Sequence, residues 1–131
     1  MGRELYGPNG YDVSYGDEAA RKTASARNYR FFDAPVAVVV CINRSLHDQD
    51  VLSVGLYLQT LVLALTERGL GSCIEVSVAG YEDLLRRELE FGHELKVLCG
   101  LAIGYADPDS RLNHLTVQRE SFEKNVVILE K

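Results

Sequence analysis

The sequence predicts one domain over residues 1–131 that combines helices with two or three strands, organised around one long apolar helix. Residues 51–68 form an uninterrupted helical segment that stops at Gly69. Two further apolar runs, 36–42 and 95–105, have the composition of strands. The chain is 47% hydrophobic and 25% charged, which is ordinary for a globular domain and argues against disorder.

The N-terminal part is predicted to contain little regular structure. Residues 1–16 are rich in glycine and tyrosine and read as an irregular, mobile lead-in. Residues 17–29 carry good helix formers after Asp17, which is placed to cap a short exposed helix. The positive charges of this helix are expected to be solvated.

Pro35 disfavours helical geometry at Ala34, so the following residues should be extended. Val36 to Ile42 are dense in β-branched residues without alternation, which is typical of a strand covered on both faces. A polar loop over 43–49 then leads into the long helix.

The long helix is expected to be buried on most sides. Asp48 and Asp50 are placed to cap it or to supply negative charge to its first turn. Apolar residues cover far more than one face of 51–68, and such a helix needs partners all round. So short a chain offers few partners, so one neighbour is expected to be another subunit. At the C-terminus, Gly69 and Leu70 fit a Schellman motif with a contact to Leu65.

After this helix, Gly69 to Cys73 read as a loop and Gly80 to Leu89 as an ordinary surface amphipathic helix. Glycines inside the apolar run 95–105 indicate a bulge or the close approach of another backbone. Val126 to Leu129 are a candidate for a short strand.

Composition also limits the partners. The formal charge of −5 argues against nucleic acid or an anionic membrane surface as the main partner. The apolar part of the long helix, 51–65, is too short and too interrupted for a membrane span. Cys41, Cys73 and Cys99 are expected to be buried free thiols. The N-terminal residues contain no apolar signal region, so we expect a cytoplasmic protein.

No catalytic motif stands out. The three histidines lack the spacing of metal ligands, so no metal is predicted. Gly69-Leu70-Gly71 follows a helix rather than a strand and is therefore neither a dinucleotide fingerprint nor a phosphate-binding loop. No Gly-x-Ser-x-Gly elbow is present.

An ordered set of short motifs nevertheless resembles the nitroreductase family of flavoproteins. The set spans about residues 29–129 with the family's spacing. Its members are Phe31-Phe32-Asp33-Ala34-Pro35-Val36, Gly55 with Leu58-Gln59-Thr60-Leu61, Gly69-Leu70-Gly71-Ser72-Cys73, Cys99 through Asp107, Asn113, and Thr116-x-x-Arg119-Glu120.

The resemblance implies an α+β, three-layer fold with a small antiparallel or mixed sheet and a long central helix. It implies an intimate homodimer, joined through helix 51–68 and the C-terminal segment, with FMN at the subunit interface. The backbone of Ile74, Glu75, Val76 and Ser77 would lie along the isoalloxazine ring, with N–H groups facing N5 and O4. Arg119 matches the arginine that meets the FMN phosphate; a surface arginine paired with Glu120 or Glu123 is the equally weighted alternative.

In such enzymes NAD(P)H reduces FMN, which then reduces a nitroaromatic, quinone or similar acceptor by ping-pong hydride transfer, with no catalytic side chain required. The chain matches roughly the C-terminal half of the family pattern. Residues 1–28 lack the Arg-Arg-Ser-x-Arg-like motif that holds FMN in the family. A non-catalytic dimeric remnant without flavin, or one half of a split flavoprotein, therefore remains an alternative.

Overall fold

A computed structural model describes residues 2–129 and divides them into two compact units, residues 2–21 with 107–129 and residues 22–106. The organisation as a single domain stays a prediction. The elements, in chain order, are α1 (Gly2–Tyr6), α2 (Glu18–Ala26), a 3₁₀ helix (Arg27–Asp33), β1 (Val36–Asn43), α3 (Asp48–Glu67), β2 (Gly71–Glu75), a 3₁₀ helix (Val76–Tyr81), α4 (Glu82–Leu89), β3 (Leu95–Gly104), a 3₁₀ helix (Arg111–His114) and α5 (Phe122–Asn125).

The larger unit is built on a three-stranded antiparallel sheet in the order β1-β3-β2. The central strand β3 pairs through Leu101 with Val38 on one side and with Ile74 on the other. The register with β1 shifts between Val40 and Cys41. Leu101 lies in the middle of this central strand and is fully buried, with 0% of its surface exposed.

One face of this sheet packs against α3 and forms the core. The buried residues are Leu58 of the helix and Cys99 and Leu101 of β3. Half-buried apolar side chains surround them: Val38, Val40, Val54, Leu61 and Ile103. Alternate residues of a strand point to opposite faces, so Gly100, Ala102 and Gly104 face away from α3.

The opposite face has no room for side chains at two glycines. A Cβ at Gly100 would lie 2.7 Å from the Phe31 ring, and one at Gly104 would lie 2.8 Å from the Pro35 ring. Phe31 reaches this position with a left-handed backbone, φ 50°. The close approach predicted at these glycines is therefore confirmed, but side-chain rings rather than another backbone make it. The bulge lies earlier in β3, where Val40 pairs with Cys99 and Cys41 pairs with Val97.

The predicted C-terminus of α3 is confirmed in atomic detail. Gly69 has φ 71°, and its N–H donates to the Thr66 carbonyl at 3.0 Å. The Leu70 N–H donates to the Leu65 carbonyl, also at 3.0 Å, which completes a Schellman motif. At the start of the helix, Asp48 and Asp50 place negative charge in the first turn, which is one of the two roles predicted for them, and neither residue is the N-cap. The N-cap is His47, and the Asp50 carboxylate accepts a hydrogen bond from the His47 backbone N–H at 2.9 Å.

Much of the apolar surface of α3 is uncovered within this chain. Leu52, Leu56 and Leu63 are 68%, 65% and 60% exposed. The helix Asp48–Glu67 is longer than the predicted apolar run and is long and apolar enough to cross a membrane by length and composition alone. Core helices of soluble proteins pass the same test, so this is weak evidence for a membrane span.

Three sequence-based predictions were wrong in detail. The lead-in 1–16 is not wholly irregular, because α1 occupies Gly2–Tyr6 and a turn follows in which the Gly10 N–H donates to the Gly7 carbonyl at 2.9 Å. The predicted loop after Gly69 is largely strand β2, held by pairing with β3. Val126 to Leu129 form no strand within residues 2–129, since no other strand of the chain pairs with them.

The amphipathic helix also differs from its prediction. It starts at Glu82, later than expected, because Val76–Tyr81 form a 3₁₀ helix. The side chain that it buries is Arg86, while Leu84 and Leu89 are 45% and 56% exposed. Arg86 is thus the one fully buried residue of this helix, while Leu85 is half-buried and the other two leucines are largely exposed.

Candidate functional site

The predicted flavin-binding segment, Ile74 to Ser77, runs from the last residues of β2 into the 3₁₀ helix that follows. Because β2 is an edge strand, one side of its backbone faces away from the sheet. Ile74 is 46% exposed and Val76 is 70% exposed, and Ser77 is also exposed. The segment therefore presents apolar side chains and open backbone at one edge of the sheet.

The backbone N–H groups of Val76 and Ser77 are suited to bind an acceptor. They begin the 3₁₀ helix Val76–Tyr81, where N–H groups have no partner within the helix. No side chain caps this helix, and the β2–β3 ladder ends at Glu75. The segment thus fits a planar group with acceptor atoms at its edge, such as the ring system of FMN.

Glu75 is the exception in this open segment, because its side chain points inward. Its exposure is 2%, and within residues 2–129 neither carboxylate oxygen has a hydrogen-bond partner. Glu75 pairs with Gly100 across the strands, so its side chain lies on the sheet face covered by Phe31 and Val78. Burial in this apolar setting raises the pKa of Glu75 to about 7.

Cys73 lies two residues before Glu75 and points to the same face of β2. Partial desolvation, and then the charge of Glu75, raise the pKa of the Cys73 thiol. All three cysteines are free, as expected, but only Cys99 is fully buried; Cys41 is half-buried and Cys73 is exposed.

Arg119 lies in the unit of residues 2–21 and 107–129, and its side chain is exposed. None of the ion pairs within residues 2–129 includes it. Glu120, one of its two predicted alternative partners, instead pairs with Lys124 at 2.7 Å. Within residues 2–129, the alternative pairing of Arg119 with Glu120 or Glu123 is therefore not formed.

One polar cluster was missed by the sequence analysis. The Glu82 carboxylate accepts hydrogen bonds from Arg44, Arg86 and the Val97 backbone N–H. Arg86 also donates to the carbonyls of Gly92 and Leu95. The spacing of Glu82 and Arg86, four residues apart on a helix, was the available signal. Within residues 2–129, Arg86 Nε is buried without a hydrogen-bond partner, but the two terminal nitrogens of Arg86 and the Glu82 carboxylate are all hydrogen-bonded, so the cluster is structural.

The smaller unit contains an open depression of 1060 Å³. Tyr6 lies in it, stacked on Tyr11 and beneath the Arg21 guanidinium, 4.7 Å from the ring centre. Its walls carry both signs of charge, including Glu4, Asp17 and Arg21. This mixture indicates no single class of ligand. Among residues 2–129, no group of three or more His, Cys, Asp or Glu side chains is arranged to hold a metal ion.

Comparison with known proteins identifies the class. The model of the Nitroreductase family matches residues 9–105. A 4-nitrobenzoate reductase of Pseudomonas putida is 38% identical over 104 residues, which are 79% of this chain and 46% of that protein. The chain therefore belongs to the nitroreductase family, as its motifs predicted.

Solved structures confirm the predicted α+β nitroreductase-like fold. The FMN- and NADPH-dependent nitroreductase NfnB from sphigopyxis sp. strain HMH superposes with a TM-score of 0.94 at 31% identity, covering 99% of this chain and 57% of that one. The FMN-dependent NfnB from Mycobacterium smegmatis, solved with NADPH, gives 0.92 at 25% identity, covering 98% and 57%. The chain spans about half the length of the curated relatives it matches.

Proposed function

We propose that this chain is an FMN-dependent NAD(P)H oxidoreductase of nitroreductase type. Its acceptors would be nitroaromatics, quinones or similar small aromatic compounds, and its reaction a ping-pong hydride transfer. The observation that carries the proposal is the exposed segment Ile74–Ser77, which lies inside the family match over residues 9–105.

The chain's residues would hold FMN rather than carry out the chemistry. The N–H groups of Val76 and Ser77 would donate to acceptor atoms at the ring edge, and Ile74 would pack against apolar ring surface. Arg119 would bind the phosphate, which suits a guanidinium fork. Bound FMN would supply the hydride-transfer chemistry.

We further propose that the active form is a cytoplasmic homodimer joined through α3 and the C-terminal segment. Leu52, Leu56 and Leu63 are all at least 60% exposed, and they lie on one side of the helix. Val127, Ile128 and Leu129 are 84%, 69% and 87% exposed. A second copy that covers these residues would remove a large apolar surface from water.

A second candidate is a flavin-free scaffold, or one half of a flavoprotein whose other half is a separate chain. The absence of the Arg-Arg-Ser-x-Arg-like motif from residues 1–28 favours it, because that motif supplies several charge-assisted contacts to FMN in the family. The two candidates differ in a single property, which is whether the purified chain binds FMN.

The test is an FMN titration of the purified chain, followed by absorbance and flavin fluorescence. The proposal expects saturable binding, a yellow protein, and FMN-dependent oxidation of NADPH with 4-nitrobenzoate as acceptor. Arg119→Ala should weaken FMN binding roughly ten- to hundred-fold, the effect of one charge-assisted hydrogen bond. Arg87→Ala is the matched control, because the exposed Arg87 pairs only with Glu88. A colourless protein whose melting temperature ignores FMN would overturn the proposal in favour of the second candidate.

A further inference from the structure

Glu75 is a buried carboxyl group that no described contact explains. Both of its oxygens are inaccessible and unpartnered within residues 2–129, although burying a polar group without hydrogen bonds is costly. The same residue directly precedes Val76, which is 70% exposed at the edge of the sheet. The carboxyl therefore lies just behind the surface where the proposed function places the flavin ring.

The elements around Glu75 offer it no compensating charge. On β3 the facing residue is Gly100, and on the 3₁₀ helix Val76–Tyr81 it is Val78. The 3₁₀ helix Arg27–Asp33 presents the Phe31 ring, which lies 2.7 Å from the Cβ position of Gly100. The only titratable group beside it on the same face of β2 is Cys73.

Charged and titratable groups elsewhere on these elements interact with other residues. Arg30 pairs with Asp33 at 2.6 Å, and the Arg27 guanidinium lies 5.7 Å from the centre of the Phe32 ring. Tyr29 and Tyr81 pack against each other edge to face, with ring centres 4.9 Å apart. A new negative charge at the open edge would therefore act on Glu75 without a cation between them to compensate it.

We propose that Glu75 takes up one proton from solvent when a flavin bound along Ile74–Ser77 is reduced, and releases it when the flavin is reoxidised. The inference rests on the proposed function. A hydride from NAD(P)H, which becomes NAD(P)⁺, brings two electrons and one proton to the flavin and thus one negative charge. A like charge nearby disfavours the carboxylate form. The solvent proton on a Glu75 oxygen balances that charge, and reduction of the acceptor reverses it. Glu75 is a positioning residue for charge and makes no bond to substrate.

The first test is the reduction potential of the FMN-loaded protein as a function of pH. Burial already raises the pKa of Glu75 to about 7, so above that pH the carboxylate is present before reduction. Wild type should then take up one more proton per two electrons than Glu75→Gln. The reduction potential of the wild type should therefore decrease with pH by about 30 mV per pH unit more than that of the variant. For a two-electron couple, about 30 mV corresponds to a tenfold change in equilibrium constant. Glu88→Gln, at an exposed glutamate, is the matched control and should behave as wild type.

Equal slopes in all three proteins would overturn the inference while leaving the proposed function intact. Failure of the wild type to bind FMN would overturn both. A measurement on the wild type alone covers the case in which Glu75→Gln does not fold. The reduced-minus-oxidised infrared difference spectrum at about pH 8 should show a new protonated carboxyl band that shifts with ¹³C-glutamate labelling. Its absence from the FMN-loaded protein would overturn the inference.

Discussion

At the scale of single residues, Glu75 links folding to pH. Its pKa is raised from 4.5 to about 7 by burial, so the folded chain binds this proton more tightly than the unfolded chain. The stabilisation by this proton is complete below about pH 4.5 and is lost as the pH rises through about 7. This difference between the folded and the unfolded pKa corresponds to roughly 3 kcal/mol of folding free energy, at about 1.4 kcal/mol per pKa unit.

We therefore expect Glu75→Gln to remove this part of the pH dependence. The free energy of unfolding of wild type, relative to the variant, should fall by up to roughly 3 kcal/mol between about pH 4 and about pH 8. Urea unfolding at several pH values measures it. Glu88→Gln should track the wild type, since Glu88 is exposed. Parallel curves for wild type and Glu75→Gln would show that the carboxyl is solvated in solution.

Gly100 is a second residue whose surroundings make a defined prediction. A Cβ at this position would lie 2.7 Å from Phe31 Cε1 and 3.1 Å from Val78 Cγ2, so Gly100→Ala overpacks the sheet face. We expect a loss of about 1–3 kcal/mol in the free energy of unfolding, measured by urea denaturation. Gly80→Ala is the control, since a Cβ there meets nothing within 4 Å. Equal stability of the two variants would mean that the Phe31 ring moves aside without cost.

At the scale of elements, the Glu82 cluster ties α4 to the sheet. Burial alone raises the pKa of Glu82, but the Val97 N–H and the charges of Arg44 and Arg86 outweigh it, and the pKa is lowered overall. Arg86, 8% exposed, depends on this carboxylate for charge compensation.

We expect Glu82→Ala to lower the melting temperature clearly, because it leaves the Arg86 cation buried without a counter-ion. The replacement of Glu88 by alanine removes an exposed pair with Arg87 and should cost at most about 0.5 kcal/mol. Thermal melts of both variants at matched ionic strength separate the two cases. A small effect of Glu82→Ala would indicate that water reaches Arg86.

The sequence predicted those elements whose signals are local. Dense apolar runs gave β1, α3 and β3, and the Gly69-Leu70 pair gave the end of α3. Strand β2 was missed because its five residues contain a glycine and no periodicity, and only its pairing with β3 makes it a strand. The burial of the Glu75 side chain was missed for the same reason. It depends on packing with Phe31, which is distant in sequence, and with Val78, which belongs to no recognisable motif. The segment Ile74–Ser77 was found through resemblance alone.

At the scale of the whole molecule, the uncovered side of α3 predicts assembly. Leu58 contacts the chain's own sheet, whereas Leu56, two residues earlier, is 65% exposed. Folding of one chain therefore requires Leu58 but leaves Leu56 in water. A charge at position 58 should therefore disrupt folding, whereas a charge at position 56 should disrupt only the association of two chains.

We expect Leu56→Asp to remain folded but to shift the protein from dimer to monomer, because a carboxylate would have to be buried in the interface. Leu58→Asp should instead unfold the chain, since it places a charge beside Cys99 and Leu101. Light scattering after size exclusion gives the mass, and circular dichroism reports the fold. Leu84→Asp controls for an added charge at another exposed leucine on α4. If Leu56→Asp is folded and still dimeric, then α3 is not the dimer interface, and its open side requires a different partner.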